Sequence, residues 1–112
     1  MWAILAVVLL AAYIYSESGS QKITTERAKA LIKQGASVVD VRTDIEWNLG
    51  HYPNAIHIPT ADIKHQNFLK DKNEVIIVYC NTGQRARVAA EALRDQGFKN
   101  VFYISSTYVS LL

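Results

Sequence analysis

Cys80 is the one thiol in this chain, and Arg85 stands five positions after it. The thiol ends an almost wholly apolar run, Glu74–Tyr79 (EVIIVY), and is followed by Asn81-Thr82-Gly83 and a long helix-forming stretch. A buried strand that runs through a short loop into a helix presents its last residue at the carboxyl edge of a sheet, where α/β proteins bind ligands. The loop amides and the helix start make an anion-binding concavity there, and the same positive field favours the thiolate, the nucleophilic form. Arg85 adds a planar cationic fork suited to an oxyanion, and Gly83 lets the loop curl tightly. Cys80, with Asn81, Thr82, Gly83, Gln84 and Arg85 as its loop, is the candidate site. One cysteine can form no internal disulfide, and alone it does not fix the redox compartment.

Other chemistry-bearing residues read as supports. Asp40 falls at a strand end, where a carboxylate accepts backbone or arginine hydrogen bonds. Arg42 and Glu46, four apart, read as a pair orienting the loop after that strand. His51 reads as a hydrogen-bonded turn residue and Trp47 as a packing residue. His57 and His65 lack metal-ligand spacing with each other or with Cys80, so no metal site is expected.

The elements that must position these residues alternate in period. Thr24 is a suitable N-cap for a helix over Thr25–Gln34, with Ala28, Leu31 and Ile32 on one face and Gly35 past its end. Ser37–Val41 is a short β-branched strand, Asp44–Leu49 a short helix stopped by Gly50, and Ala55–Ile58 an extended segment before Pro59. Thr60 or Asp62 caps a further helical segment to about Leu69. After the Glu74–Tyr79 strand, Gln84–Gln96 forms the clearest helix, with Val88, Ala89, Ala92 and Leu93 on one face. Val101–Ile104 is the last strand. Strands alternating with helices over short connections imply an α/β fold with a parallel sheet covered on both faces.

The segments VVDVRTDIEWNLGHYPNAIHIP (Val38–Pro59) and YCNTGQRARVAAEALRDQGFKNV (Tyr79–Val101) resemble the two signature regions of rhodanese homology domains. The likeness extends from about Ile23 to Ile104. It implies a rhodanese-like domain with a central, mainly parallel sheet flanked by helices. It also implies a thiosulfate sulfurtransferase that uses no cofactor. In such enzymes the cysteine takes a sulfane sulfur from a small anionic donor such as thiosulfate, becomes a persulfide, and passes the sulfur to cyanide or a thiol. By position, Cys80 would be the carrier, Asn81–Arg85 the cradling loop, and Asp40 and Arg42 its buttress. Phosphatases and arsenate reductases built this way place five residues between Cys and Arg. Here there are four, so a ring sized for one sulfur atom is expected. A phosphatase-like enzyme and a non-catalytic docking module remain the alternative readings. The family usually continues after its last strand with a Gly-Gly turn and a helix bearing a Trp. Ser105-Ser106 stand there instead, and a closing helix is expected to be missing or reduced to a turn.

Residues 2–15 (WAILAVVLLAAYIY) carry no charge, Pro or Gly. The run is shorter than the ~20 residues that comfortably span a bilayer, and no Lys or Arg precedes it as in a secretory signal. Residues 1–16 are read as a hydrophobic helix serving as a thin single-pass membrane anchor, with a cleaved signal as the alternative. Residues 17–22 then form a linker and 23–112 the domain. Lys22, Arg27 and Lys29 follow the run, which places the domain on the cytoplasmic side, or in the periplasm if the segment is cleaved. Net charge is +2 from 12 basic and 10 acidic residues, interspersed without the basic stripe that nucleic-acid binding needs.

Overall fold

The computed structural model describes residues 19–112. Five parallel strands, β1 (Gly19–Lys22), β2 (Ser37–Asp40), β3 (Ile56–His57), β4 (Val75–Tyr79) and β5 (Asn100–Tyr103), form one sheet in the order β1-β5-β4-β2-β3. The helices are α1 (Thr25–Lys33), α2 (Asp44–Asn48) and α3 (Gln84–Asp95), with 3-10 turns at Thr60–His65 and Tyr108–Leu111. Because every strand runs the same way, Lys22, Tyr103, Tyr79 and Asp40 end at one edge, in the registers Lys22↔Tyr103, Val78↔Tyr103 and Asp40↔Tyr79.

Side chains of a strand alternate between faces, and β4 feeds both cores. Ile76, Val78 and then Cys80 join Phe98 and the α3 residues Ala86, Ala89, Ala90 and Leu93. Ile77 and Tyr79 point the other way, toward Ala28 of α1, Phe102 and Leu111. The buried stripe of α3 is mainly alanine, which lets the helix axis approach the sheet closely. Val88, expected on that stripe, lies off it and is 43% exposed.

Two boundaries differ from expectation. Residues 19–22, assigned to a linker, are β1 and pair in parallel with β5. A four-residue polar edge strand carries almost no periodic signal of its own and depends on the β5 ladder. The helix expected to reach Leu69 is only a 3-10 turn, Thr60–His65. Beyond it, the Gln66 side-chain oxygen takes the amides of Phe68 (2.9 Å) and Leu69 (2.8 Å), holding that backbone outside a helix. The apolar run 2–15 and its anchor reading lie outside the described residues. Among the described residues no helix is long and apolar enough to cross a membrane.

In place of a closing helix there is a single 3-10 turn, and it packs on the core of the α1 face. Leu111 is 4% exposed. The Tyr108 ring tilts against Tyr79 at 6.2 Å between centroids, and Thr25 bonds Ser106 at 3.1 Å. Leu111→Ala should therefore lower unfolding free energy by roughly 2–5 kcal/mol in urea titrations. A loss within experimental error would show that the turn is not part of the core.

Candidate active site

The site grows from the carboxyl end of β4. Tyr79, the last strand residue, and Cys80 are both fully or almost fully buried. Gly83 then turns the chain with φ of +98°, a left-handed conformation open to glycine at little cost. A Cβ at this position would lie 2.9 Å from the Ser105 Cα, so backbone angle and packing both call for glycine. The reversal aims two amides at the sulfur. Gly83 N–H donates to Cys80 Sγ at 3.1 Å and Ala86 N–H at 3.4 Å. Two donors at a helix start stabilise an anionic sulfur more than a neutral thiol.

Glu46 of α2 clamps this loop from outside. Its two oxygens receive the Arg85 guanidinium fork, Nη1 to Oε1 at 2.6 Å and Nη2 to Oε2 at 2.9 Å, and Oε2 also accepts Asn81 Nδ2 at 2.7 Å. Thr43 holds the carboxylate from behind through its N–H (3.1 Å) and hydroxyl (3.0 Å), which completes the capping box of α2. The Arg85 bonds, with help from the Thr43 donors and against partial desolvation, hold Glu46 well below the usual carboxylate range. In return, the bond to Glu46 raises Arg85 further above its ordinary value. Desolvation opposes this, and the Glu46 and Cys80 charges add to it.

Behind the loop lies a second, buried network. Asp40 is fully buried and Arg42 is 5% exposed. Arg42 reaches Asp40 through its backbone N–H (2.9 Å), Nε (3.1 Å to each oxygen) and Nη2 (2.8 Å), then spends Nη2 again on the Gly50 carbonyl at 2.6 Å. The Tyr79 hydroxyl donates to Asp40 Oδ2 and accepts the Tyr52 N–H at 3.1 Å. Burial, then the bond to Asp40, pushes the Tyr79 phenol well above its ordinary value. The Asp40 bonds, against desolvation, raise Arg42 above its own.

Set against the sequence reading, Cys80, Asn81, Gly83 and Arg85 converge, and Thr82 and Gln84 stand exposed on the loop's outer rim. Asp40 and Arg42 lie beneath it, buried. The expected Arg42–Glu46 pair does not form, because Arg42 turns inward to Asp40 and Glu46 outward to Arg85. His51 Nδ1 bonds the Trp47 carbonyl at 3.0 Å, as a turn residue should. Trp47 is sandwiched between His51 (3.4 Å between ring centroids) and His57 (4.6 Å), and His57 Nε2 meets the Arg42 carbonyl at 2.7 Å. Sequence reasoning missed Glu46 as a clamp and Ala86 as an amide donor. The Thr43-x-x-Glu46 spacing signals a capping box, but nothing local signals Arg85, 39 residues away.

The fold and site together define an α/β domain that presents a cysteine sulfur in an amide-lined loop. The family profile described as Rhodanese-like domain matches residues 24–110, and the chain belongs to that family. It is similar to the thiosulfate sulfurtransferase GlpE of Haemophilus influenzae, 34% identical over 82 residues that cover 73% of this chain and 78% of that one. The putative sulfur carrier protein YrkF of Bacillus subtilis is 33% identical over 72 residues, covering 63% of this chain. A tRNA uridine(34) hydroxylase of Buchnera aphidicola is 36% identical over 80 residues, covering 66% of this chain. The chain spans only 38% of YrkF and 26% of that hydroxylase. Among solved structures, a rhodanese-like domain protein of Staphylococcus aureus superposes with TM-score 0.71 at 29% identity, covering 82% of this chain and 91% of that one. The human single-domain sulfurtransferase TSTD1 shares the fold, with TM-score 0.71 at 18% identity, covering 80% and 92%.

The clamp has a pH signature. A depressed carboxylate contributes stability that is complete above its unfolded value, about 4.3, and is lost as pH falls through the lower folded value. Urea titrations of wild type and Glu46→Gln should differ by a constant amount from pH 7 to 5, with the gap closing below about pH 4.3. A gap that is unchanged at acid pH would show that the charge on Glu46 is not what holds the loop.

Proposed function

We propose that this domain is a sulfurtransferase in which Cys80 carries sulfur as a persulfide. The observation that carries the reading is the Cys80 Sγ seated between the Gly83 and Ala86 amides at the head of α3. In the first half-reaction the Cys80 thiolate attacks the outer sulfur of thiosulfate. A new S–S bond forms to Sγ, the S–S bond of the donor breaks, and its electron pair leaves with sulfite. In the second, a thiolate or cyanide attacks the terminal sulfur and the pair returns to Sγ, regenerating the thiolate. Charge balances in both steps, and no cofactor is needed.

Asn81 and Arg85 act through Glu46 in this scheme. Because both oxygens of Glu46 occupy the Arg85 fork, Arg85 holds the loop's shape and adds positive potential near Sγ. It is not a free clamp for an oxyanion. Asp40 and Arg42 buttress the strand end that launches the loop. The short ring of Cys80–Arg85 supports sulfur over tetrahedral phosphate as its occupant. The likeness to GlpE, of which the chain covers more than two thirds, supports thiosulfate as a donor. We further propose that residues 2–15 tether the domain to the cytoplasmic face of a membrane. β1 begins at the amino edge of the parallel sheet, and Cys80 follows β4 at the carboxyl edge.

Thiosulfate with cyanide should yield thiocyanate from wild type and none above background from Cys80→Ser. Hydrolysis of a small phosphate ester that depends on Cys80 would instead favour the phosphatase reading.

A further inference from the structure

Residues 105–112 touch the candidate site at two points. The Ser105 backbone backs the catalytic loop at Gly83, its Cα 2.9 Å from the place a Cβ would take. Tyr108, half-buried at the head of the last 3-10 turn, lays its ring against Arg42. The guanidinium carbon of Arg42 sits 5.3 Å from the Tyr108 ring centroid and 5.5 Å from that of Tyr79, so one cation lies against two phenol rings. The Tyr108 hydroxyl fills the space that a side chain at Gly50 would need, and the Gly50 carbonyl is itself an acceptor for Arg42. The turn has anchors of its own besides this contact. Ser106 Oγ meets Thr25 Oγ1 at 3.1 Å and Ser110 Oγ at 2.8 Å, and Leu111 is buried in the same core as Ala28 of α1.

We propose that Tyr108 is a positioning residue for Cys80: the face of its ring holds the Arg42 cation against Tyr79, the residue to which the thiol is joined. The proposal rests on Cys80 being the sulfur carrier and goes beyond it to what keeps the thiol in reactive geometry. The hydrogen bonds of Arg42 to Asp40 and Gly50 are made by N–H groups in the guanidinium plane, which leaves its flat faces without such partners. An aromatic face carries negative potential and attracts a cation there, more strongly where water is excluded. Arg42 is 5% exposed, so its contact with Tyr108 is of the desolvated kind. From Arg42 the path to the thiol is short. Asp40 Oδ2 accepts from Arg42 and from the Tyr79 hydroxyl, and Cys80 is the next residue. A guanidinium free to shift would carry Asp40 and Tyr79 with it, and Sγ would lose its alignment with the Gly83 and Ala86 amides. Those amides favour the thiolate, so the cost falls on the reactivity of Cys80.

The test compares the full-length wild type with Tyr108→Phe and with a protein carrying pentafluorophenylalanine in place of Tyr108. The fluorines reverse the charge of the ring face and nearly keep its shape, so packing is retained and the pull on the cation is removed. Loading of Cys80 by thiosulfate, followed by mass in a single turnover, should stay within about twofold of wild type in Tyr108→Phe, and in the fluorinated protein it should slow by about threefold or more at pH 7. Alkylation of Cys80 by iodoacetamide should slow in the fluorinated protein too, and its rise with pH should move to higher pH. Equal loading rates in the two variants, whether fast or slow, would leave the ring face no part and overturn the proposal. Faster alkylation in the fluorinated protein would mean that the turn merely shields the buried thiol, and would overturn it as well. If wild-type Cys80 takes no sulfur at all, the sulfurtransferase reading fails, and the iodoacetamide rates still decide the role of Tyr108.

Discussion

A buried ion pair, Asp40 with Arg42, is the constraint on which the carboxyl edge of this sheet depends. Neither side chain can relax into solvent, so each must find its partners inside the protein. Arg42 meets that demand with both oxygens of Asp40 and the Gly50 carbonyl, and Asp40 with Arg42 and the Tyr79 hydroxyl. Three separate segments are thereby fixed to one another: the end of β2, the turn after α2, and the last residue of β4. Breaking such a pair from one side leaves an uncompensated charge, at a cost of about 3–5 kcal/mol. Cys80 is the next residue after this fixed point. The position from which the thiol leaves the sheet is thus decided by charges whose hydrogen bonds go to other partners than Sγ.

Glu46 performs the complementary task on the solvent side. It is tied to its own helix start by Thr43 and reaches across to Asn81 and Arg85, so α2 acts as a brace for the loop. With its oxygens committed in this way, the carboxylate holds the Arg85 guanidinium in place beside the loop. The amides of Gly83 and Ala86 both point at the sulfur. In the proposed reaction the same sulfur is nucleophile in the first half and leaving group in the second, and both amides keep facing it.

Much of this was legible in the residues. The EVIIVY run ending at Cys80, Gly83 two loop residues on, and the alanine-rich helix from Gln84 locate the site, because each signal is local: strand, turn and helix follow one another in sequence. The residues that hold the site were not legible as such, because their partners are distant. Arg42 and Glu46 are correctly spaced for an i,i+4 pair, yet Arg42 turns inward to Asp40 and Glu46 outward to Arg85, and no local pattern reports that choice. β1 was invisible for a related reason. Its four residues owe their conformation to β5, some eighty positions away. Val88 shows the limit from the other direction. Its apolar character suggested burial, while the buried stripe of α3 proved to be made of smaller residues.

The central claim, that this geometry makes Cys80 a sulfur carrier, is tested most directly by intact-mass measurement after excess thiosulfate, followed by proteolysis to locate the change. The account predicts a gain of one sulfur atom, confined to the peptide containing Cys80 and removed by a thiol or by cyanide. An unmodified Cys80 under excess donor would contradict it.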